Sequence, residues 1–272
     1  MPEIAEVETV RRTLNKKIIN KKIKDVNIIY SKMLETNPDF LKNTLINKEI
    51  IDIKRIGKWL LFELDNYYLL SHLRMEGKFF LKNDGEPIEK HEHIIIKFVD
   101  NTELRYHDTR RFGKMCLVEK DKLYEYEGIR KQGYEPFDEK LTKEYLLEKF
   151  KNKKMPVKSL LLDQTIISGL GNIYADEVVF NAKINPLKKG NELSLEECQR
   201  IVDATNSIIK EAIKMGGTTI KSYTSSLGVT GLFQKQLMVH KKEGERCEIC
   251  SSIIKRIKIG GRSTYYCETC QK

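Results

Sequence analysis

The spacing of apolar residues changes along the chain. Ile4, Val7, Val10 and Leu14 form one helical stripe and predict a helix over residues 3–15. From about residue 22 to 118, short runs rich in Ile, Val, Tyr and Phe take over. They predict strands over 23–30, 49–56, 59–64, 67–73, 93–99, 104–107 and 114–118. Many short strands without intervening helices are typical of a β-sandwich or barrel.

Helical spacing returns from about residue 121 to 215. It predicts helices over 141–150, 157–163, 173–181 and 194–215. Ser194-Leu195-Glu196-Glu197 has the form of a capping box at the start of the last helix, and Gly216-Gly217 ends it. The small and polar residues over 216–231 then predict a loop.

Composition and charge narrow the function class. The 272 residues are 40% hydrophobic, which is enough for a core, and the net charge of +10 favours a polyanionic partner. An AT-rich genome that overuses lysine would give the same surplus, so charge alone does not establish a nucleic-acid partner. No apolar run approaches the ~20 residues that span a bilayer. The acidic N-terminus does not resemble a secretory signal, so we expect a cytoplasmic protein without membrane contact.

Four of the six cysteines form two pairs, Cys247-x2-Cys250 and Cys267-x2-Cys270, with sixteen residues between them. This spacing predicts a four-cysteine zinc site closed by a β-hairpin. Two disulfides are the alternative, which a cytosolic location disfavours. With four protein ligands and no open position, the zinc is expected to be structural. Cys116 and Cys198 are expected to be ordinary thiols.

Seven segments in order resemble the formamidopyrimidine-DNA glycosylase family, bacterial enzymes that excise oxidised purines. They are Pro2-Glu3-x-x-Glu6-Val7-Glu8-Thr9, Gly57-Lys58, His72-Leu73-Arg74-Met75-Glu76-Gly77, Arg110-Arg111-Phe112-Gly113, Gly169-Leu170-Gly171-Asn172-Ile173-Tyr174-Ala175, Gly216-Gly217-Thr218-Thr219 and the cysteine hairpin. Two positions depart from the family pattern, since Ala5 and Thr109 stand where the family usually has proline.

The resemblance implies an α+β fold in three parts: an N-terminal helix and β-sandwich over 1–120, a helix-two-turn-helix lobe over 121–235, and a zinc-finger hairpin over 236–272. It implies a monomeric base-excision repair enzyme that acts on double-stranded DNA containing oxidised bases or abasic sites. An endonuclease VIII-like enzyme for oxidised pyrimidines and a non-catalytic zinc-ribbon DNA-binding protein are the alternatives.

The resemblance also assigns catalytic roles. If Met1 is removed, Pro2 presents a secondary amine that can attack the sugar and form a Schiff base; a plain helix-start proline is the alternative. Glu3 is then the proton donor and Glu6 a supporting carboxylate. Lys58 is a second amine for β-elimination, and Arg262 at the hairpin tip clamps phosphate and assists δ-elimination.

Further residues are expected to bind DNA. His72, His91 and Lys154 resemble phosphate contacts of the family, and Asn172 lies at a helix start that suits an anion. Met75, Arg110 and Phe112 resemble the wedge that fills the helix when a base is flipped out. Glu76 and residues 216–231 resemble the pocket for that base.

Overall fold

The computed structural model describes residues 1–218 and 231–272. These residues divide into two compact units, residues 1–130 with Thr218 and Gly231, and residues 131–217 with 232–272. Most of the predicted loop over 216–231 lies outside the described residues. Among the described helices, none combines the length and apolar character needed to cross a membrane.

The first unit is built from one long helix and eight strands, with two shorter helices. In chain order these are α1 (Ile4–Ile18), β1 (Ile23–Ile28), α2 (Pro38–Leu45), β2 (Asp52–Ile56), β3 (Trp59–Glu63), β4 (Tyr67–His72), β5 (Lys78–Asn83), β6 (Glu92–Phe98), β7 (Thr102–His107), β8 (Lys114–Glu119) and α3 (Glu127–Arg130). Single 3₁₀ turns lie at Ser31–Met33 and Lys120–Lys122.

The strands form two antiparallel sheets, in the orders β1-β6-β7-β5 and β2-β3-β4-β8. The rings of Phe62 on β3 and Phe79 on β5 meet with centroids 5.4 Å apart, so the two sheets share one core. The apolar stripe of α1 is buried in the same core. The predicted β-sandwich with an N-terminal helix is confirmed.

Two elements of this unit differ from the sequence expectation. Helix α2 lies between two strands, in a region where the apolar spacing predicted no helix. Asn37 caps it by accepting the Phe40 N–H (3.0 Å), and Pro38 is its first residue. Strand β5 was also not among the predicted runs. Its sequence, KFFLKN, is too polar at its ends to stand out from its neighbours.

The second unit is helical and ends in a hairpin. It contains α4 (Lys143–Phe150), α5 (Val157–Leu161), α6 (Asn172–Asn181), α7 (Leu195–Lys214), β9 (Lys255–Ile259) and β10 (Arg262–Tyr266), with 3₁₀ turns at Gly190–Glu192 and Phe233–Gln236. Ser194 and Glu197 form the predicted capping box, and Gly216 and Gly217, both with φ near +75°, end α7. The helical lobe and the terminal hairpin are confirmed.

Candidate active site and DNA interface

The predicted catalytic carboxylates lie at the start of α1. Pro2 and Glu3 are buried, and Glu3 is the residue that precedes the helix. The Glu3 N–H donates to Oε2 of Glu6 (2.9 Å). Burial lowers the pKa of the Met1 amine, Glu3 and Glu6 oppose that shift, and Lys58 adds to it. Four charged side chains therefore act on the chain terminus: Glu3, Glu6, Lys58 and Glu76.

Glu6 ties this helix start to a second segment. Its Oε1 accepts hydrogen bonds from the Thr218 N–H (2.7 Å) and from the Thr218 hydroxyl (3.0 Å). Both Glu6 and Thr218 are buried. The two oxygens of Glu6 thus hold Glu3 on one side and Thr218 on the other, which is a supporting role. Of the predicted base pocket, residues 219–230 lie beyond what the structure describes.

Lys58 lies in the two-residue turn between β2 and β3. Gly57, at φ 57°, takes the left-handed position that such a turn requires. Lys58 is only 6% exposed, so it is not the solvated turn lysine that its sequence context alone suggests.

The Lys58 turn has its own support. Arg55 donates to the Gly57 carbonyl (2.9 Å) and to Glu8 (3.2 Å). Burial would raise the pKa of Glu8, but hydrogen bonds from Arg11 and Arg12 lower it to about 2. The sequence motifs gave Glu8 and Arg55 no role. For Glu8 a signal was present in the sequence, because it is a charged residue on the apolar side of α1.

His72 ends β4 directly opposite Trp59, the residue after Lys58. Its Nδ1 accepts the Arg74 N–H (3.0 Å), and the Trp59 ring meets it edge-on with centroids 4.9 Å apart. Burial, helped by the charges of Arg74, Lys58 and Lys114, lowers the pKa of His72 to about 3. His72 is therefore neutral near pH 7, and its Nε2–H can donate a hydrogen bond but brings no charge.

The three wedge candidates lie on two loops and are exposed. Met75, after β4, is 37% exposed, and Phe112, after β7, is 52% exposed. The Arg110 guanidinium stacks over the Phe112 ring at 4.7 Å. The hydroxyl of Thr109 donates to the Glu76 carboxylate and joins the two loops. Neither Met75 nor Phe112 belongs to the core, so both are available for a partner.

His91 lies just before β6, half-buried, in a group of imidazoles. Its ring centroid is 5.6 Å from that of His107 and 6.5 Å from that of His93. The Nε2 of His93 lies 2.9 Å from the Asp108 carbonyl. Among the described residues, the histidines do not form a three-ligand metal group, and the cysteine hairpin is the one such group found.

In the second unit, Asn172 lies beside the hairpin that carries Arg262. Asn172 is the first residue of α6, and its Nδ2 donates to the Ser263 carbonyl (2.9 Å). Arg262 precedes Ser263 and follows Gly260 and Gly261, both at positive φ, so it begins β10 right after the turn. The structure thus places Asn172 in contact with the residue that follows Arg262. Lys154 is exposed on the connection between α4 and α5.

A buried ionic network beneath Asn172 has no counterpart in the sequence analysis. Lys158 and Asp176 are fully buried and ion-paired, and Nζ of Lys158 also donates to the Asn172 carbonyl (2.9 Å). The second oxygen of Asp176 lies 2.6 Å from Nδ1 of His240. The Glu177 carboxylate accepts the N–H groups of residues 238–240, and burial raises its pKa. Two adjacent acidic residues in an otherwise apolar helix are the sequence signal that could have revealed it.

The four hairpin cysteines converge as a metal site requires. Their sulfur atoms lie within 4.8 Å of one another, with Cys247 to Cys270 at 3.9 Å and Cys250 to Cys267 at 3.3 Å. Tetrahedral zinc with bonds of about 2.3 Å places its sulfur ligands about 3.8 Å apart, whereas a disulfide needs about 2.05 Å. The set fits one structural zinc ion and not two disulfides.

The two remaining cysteines behave as predicted. Cys116 and Cys198 are buried, and burial raises the pKa of each thiol to about 11. Neither thiol is therefore activated as a nucleophile at neutral pH.

Three family models match the chain in order. They are the formamidopyrimidine-DNA glycosylase N-terminal domain over 1–115, the formamidopyrimidine-DNA glycosylase H2TH domain over 132–224, and the zinc finger found in FPG and IleRS over 244–272. The three models cover, in turn, the β-sandwich, the helical region and the terminal hairpin.

Individual relatives match over the full length. The formamidopyrimidine-DNA glycosylase of Bacillus cereus is 44% identical over 273 residues, covering 100% of this chain and 99% of its own. Wild-type Fpg of Lactococcus lactis in complex with DNA that contains N7-benzyl-Fapy-dG is 42% identical, with a TM-score of 0.94 and 100% of both chains covered. A complex of Lactococcus lactis Fpg with DNA that contains an abasic site gives the same identity and TM-score over 99% of both chains. The chain belongs to the formamidopyrimidine-DNA glycosylase family.

Proposed function

We propose that the amine of Pro2 is the nucleophile with which this DNA glycosylase excises oxidised purines and cleaves the abasic strand. The observation that carries the proposal is the setting of Pro2, which is buried before α1 beside Glu3 and next to the Met1 amine, on which the charges of Glu3, Glu6 and Lys58 act. Removal of Met1 would turn the Pro2 nitrogen from a tertiary amide into a secondary amine. A buried amine is more readily kept unprotonated and nucleophilic.

The reaction begins at the sugar of the damaged nucleotide. The Pro2 nitrogen attacks C1′, the C1′–base bond breaks, and the base leaves with a proton from Glu3. The C1′–O4′ bond then breaks, O4′ takes up the proton that the Pro2 nitrogen loses, and an iminium forms between Pro2 and C1′. The iminium acidifies C2′: loss of a C2′ proton to a base expels the 3′ phosphate, and loss of the C4′ proton then expels the 5′ phosphate. Water hydrolyses the remaining iminium and returns the Pro2 amine.

Glu3 and Lys58 are suited to different proton transfers in this scheme. Glu3 adjoins Pro2 in sequence and is buried, which favours transfer to a departing base rather than to water. Lys58 is a buried amine on a turn braced by Arg55, which supports its role in the β-elimination step. Glu6 has both oxygens engaged in backbone contacts, which supports a positioning role for it.

DNA that contains an oxidised purine or an abasic site is the partner that these features suit. Fpg of Lactococcus lactis, a relative in this family, has been crystallised on DNA that contains Fapy-dG and on DNA that contains an abasic site. We assign phosphate contacts to His72, His91, Lys154, Asn172 and Arg262, and insertion into the helix to Met75, Arg110 and Phe112. His72 contributes a neutral hydrogen bond in this assignment, because its pKa is about 3.

The proposal also assigns roles to the three parts of the chain, an oligomeric state and a location in the cell. Residues 1–120 form the catalytic domain, 121–235 the DNA-binding helical domain, and 236–272 the zinc-finger hairpin, whose zinc is structural. The protein acts as a monomer in the cytoplasm, associated with the nucleoid when bound to DNA. Because the family consists of enzymes, the non-catalytic DNA-binding alternative falls away.

Borohydride trapping tests the nucleophile. The protein, with Met1 removal checked by intact mass, is reduced on a duplex with 8-oxoguanine opposite cytosine, and the cross-linked peptide is sequenced. We expect the cross-link on Pro2; a cross-link on Lys58 with Pro2 unmodified would overturn the assignment. Greater excision from a duplex with an oxidised pyrimidine would instead favour the endonuclease VIII-like alternative.

Glu3→Gln tests the proton donor. Base excision should fall by about 10²- to 10⁴-fold, the usual contribution of general acid catalysis, while cleavage of a pre-formed abasic site falls much less. Glu196→Gln is a matched control, since Glu196 is an exposed carboxylate in the first turn of α7. Equal loss of both activities in Glu3→Gln would contradict the role.

A further inference from the structure

The loop over residues 108–113 carries two wedge candidates, and one buried carboxylate shapes it. Asp108 is fully buried. Its Oδ1 accepts the Arg110 N–H (2.9 Å), and its Oδ2 accepts the Gly113 N–H (2.8 Å). The Asp108 side chain therefore holds both ends of the segment that presents Arg110 and Phe112.

The main chain of Asp108 anchors the same loop to the start of β6. Its N–H donates to the His91 carbonyl (3.0 Å), and its carbonyl oxygen lies 2.9 Å from Nε2 of His93. The base of the loop is therefore fixed to the residue assigned above to a phosphate contact. Both the carboxylate and the peptide groups of Asp108 are engaged.

The loop needs such support because its backbone is unfavourable. Arg111, between the two wedge candidates, has φ 57°, a left-handed conformation that a non-glycine residue adopts only at a cost. At Gly113, a Cβ would lie 1.8 Å from the Tyr106 hydroxyl and 3.2 Å from Oδ2 of Asp108. The two hydrogen bonds to Asp108 span Arg111 and stabilise this turn.

We propose that Asp108 is a positioning residue for base extrusion, which presets the 109–113 loop so that Arg110 and Phe112 enter the DNA helix without first being ordered. The inference rests on the wedge role proposed above for these two residues. Asp108 is buried beneath the loop and acts through Arg110 and Phe112. Ordering the loop in the free protein removes an entropic cost from the binding step.

Asp108→Asn is the informative substitution. It keeps the size of the side chain but replaces one of the two acceptor oxygens with an NH₂ donor that faces a backbone N–H. Asp100→Asn is the matched control, because Asp100 lies in the same unit and also accepts a backbone N–H two residues on, from Thr102 (3.1 Å). Urea denaturation of every variant shows that the unit is folded before activity is compared.

Two activities and one optical signal are measured. With Asp108→Asn, excision of 8-oxoguanine should fall by about 10- to 100-fold, the scale expected for misplaced groups. Cleavage at a pre-formed abasic site should change by less than about threefold, since no base has to be extruded there. The fluorescence rise of 2-aminopurine next to the lesion, which reports unstacking, should be lost. Asp100→Asn should match the parent in all three.

A combined variant separates positioning from general structural support. If Asp108 acts through Arg110 and Phe112, then adding Asp108→Asn to a variant that carries both Arg110→Ala and Phe112→Ala should lower excision by less than about twofold further. Fully additive losses, an unchanged excision rate in Asp108→Asn, or an equal loss of abasic-site cleavage would each overturn the inference. Failure of the parent protein to form a borohydride-trapped complex would instead count against the proposed function.

Discussion

The neutral state of His72 makes the stability of the first unit depend on pH. His72 is buried beside Trp59, and the pKa of its imidazole is lowered from 6.5 to about 3, first by burial and then by Arg74, Lys58 and Lys114. The unfolded chain binds the proton more tightly than the folded chain does. The free energy of unfolding is therefore highest above pH 6.5 and decreases as the pH falls toward 3. Acidification from pH 7 to pH 5 is the perturbation.

The magnitude follows from the two pKa values. The imidazole has a pKa of 6.5 in the unfolded chain and about 3 in the folded chain. Linkage between protonation and folding then lowers the free energy of unfolding by about 0.2 kcal/mol at pH 7 and by about 2 kcal/mol at pH 5. The full penalty, about 5 kcal/mol, is reached below pH 3.

Trp59 provides the assay, since it is the one tryptophan in the sequence and touches His72. The free energy of unfolding is measured by urea denaturation, with Trp59 fluorescence as the signal, at pH 7 and at pH 5. Between these pH values it should fall in the parent by about 2 kcal/mol more than it falls in His72→Asn. Asparagine does not titrate and keeps an acceptor for the Arg74 N–H. Lys17→Met, which removes an exposed cation from α1, should keep the parent's pH dependence. Equal pH dependence in the parent and His72→Asn would refute a depressed pKa at this position.

Two further predictions concern the second unit. Cys247→Ala should release the zinc, unfold the hairpin and abolish DNA binding, because structural zinc supplies folding energy; metal analysis and a binding assay check this, and full activity of metal-free protein would contradict it. Lys158→Met should destabilise the protein by about 3 kcal/mol, since the buried Asp176 carboxylate loses its ion-pair partner. Urea denaturation checks it against the exposed control Lys214→Met, and a loss below about 1 kcal/mol would show that the pair is not structurally important.

The predictable parts of the fold are those with local causes. Apolar periodicity placed α1 and α7, and turn chemistry placed the Gly216-Gly217 helix end, because these depend on neighbouring residues alone. The cysteine spacing similarly predicted the metal site. Strand β5 was missed because its place depends on pairing with β7, which is a long-range property.

The sequence motifs identified the side chains of the candidate site, but they did not predict the environment of each side chain. Lys58 has the sequence context of a surface turn residue but is buried in the fold, and the pKa of His72 is set first by burial and then by charges on three separate segments. Burial of this kind arises only when distant segments pack together. Sequence patterns therefore indicated which chemical groups the site contains, but not the burial or the pKa of each group.

A common design connects the three places where function is proposed. Lys58 stands on a turn braced by Arg55, the Arg110 loop is shaped by Asp108, and the start of α6 at Asn172 is held by Lys158. Each supporting group is charged, yet it makes specific contacts with the backbone that presents a functional side chain. Charged groups of this kind are expensive to bury, and apolar residues could fill the same volume at lower cost. The gain is directional: a hydrogen-bonded charge fixes the orientation of a peptide group, which apolar packing does not do. Substitutions at the supporting residues are therefore expected to change DNA repair activity through geometry, even though the proposed mechanism gives none of them a DNA contact.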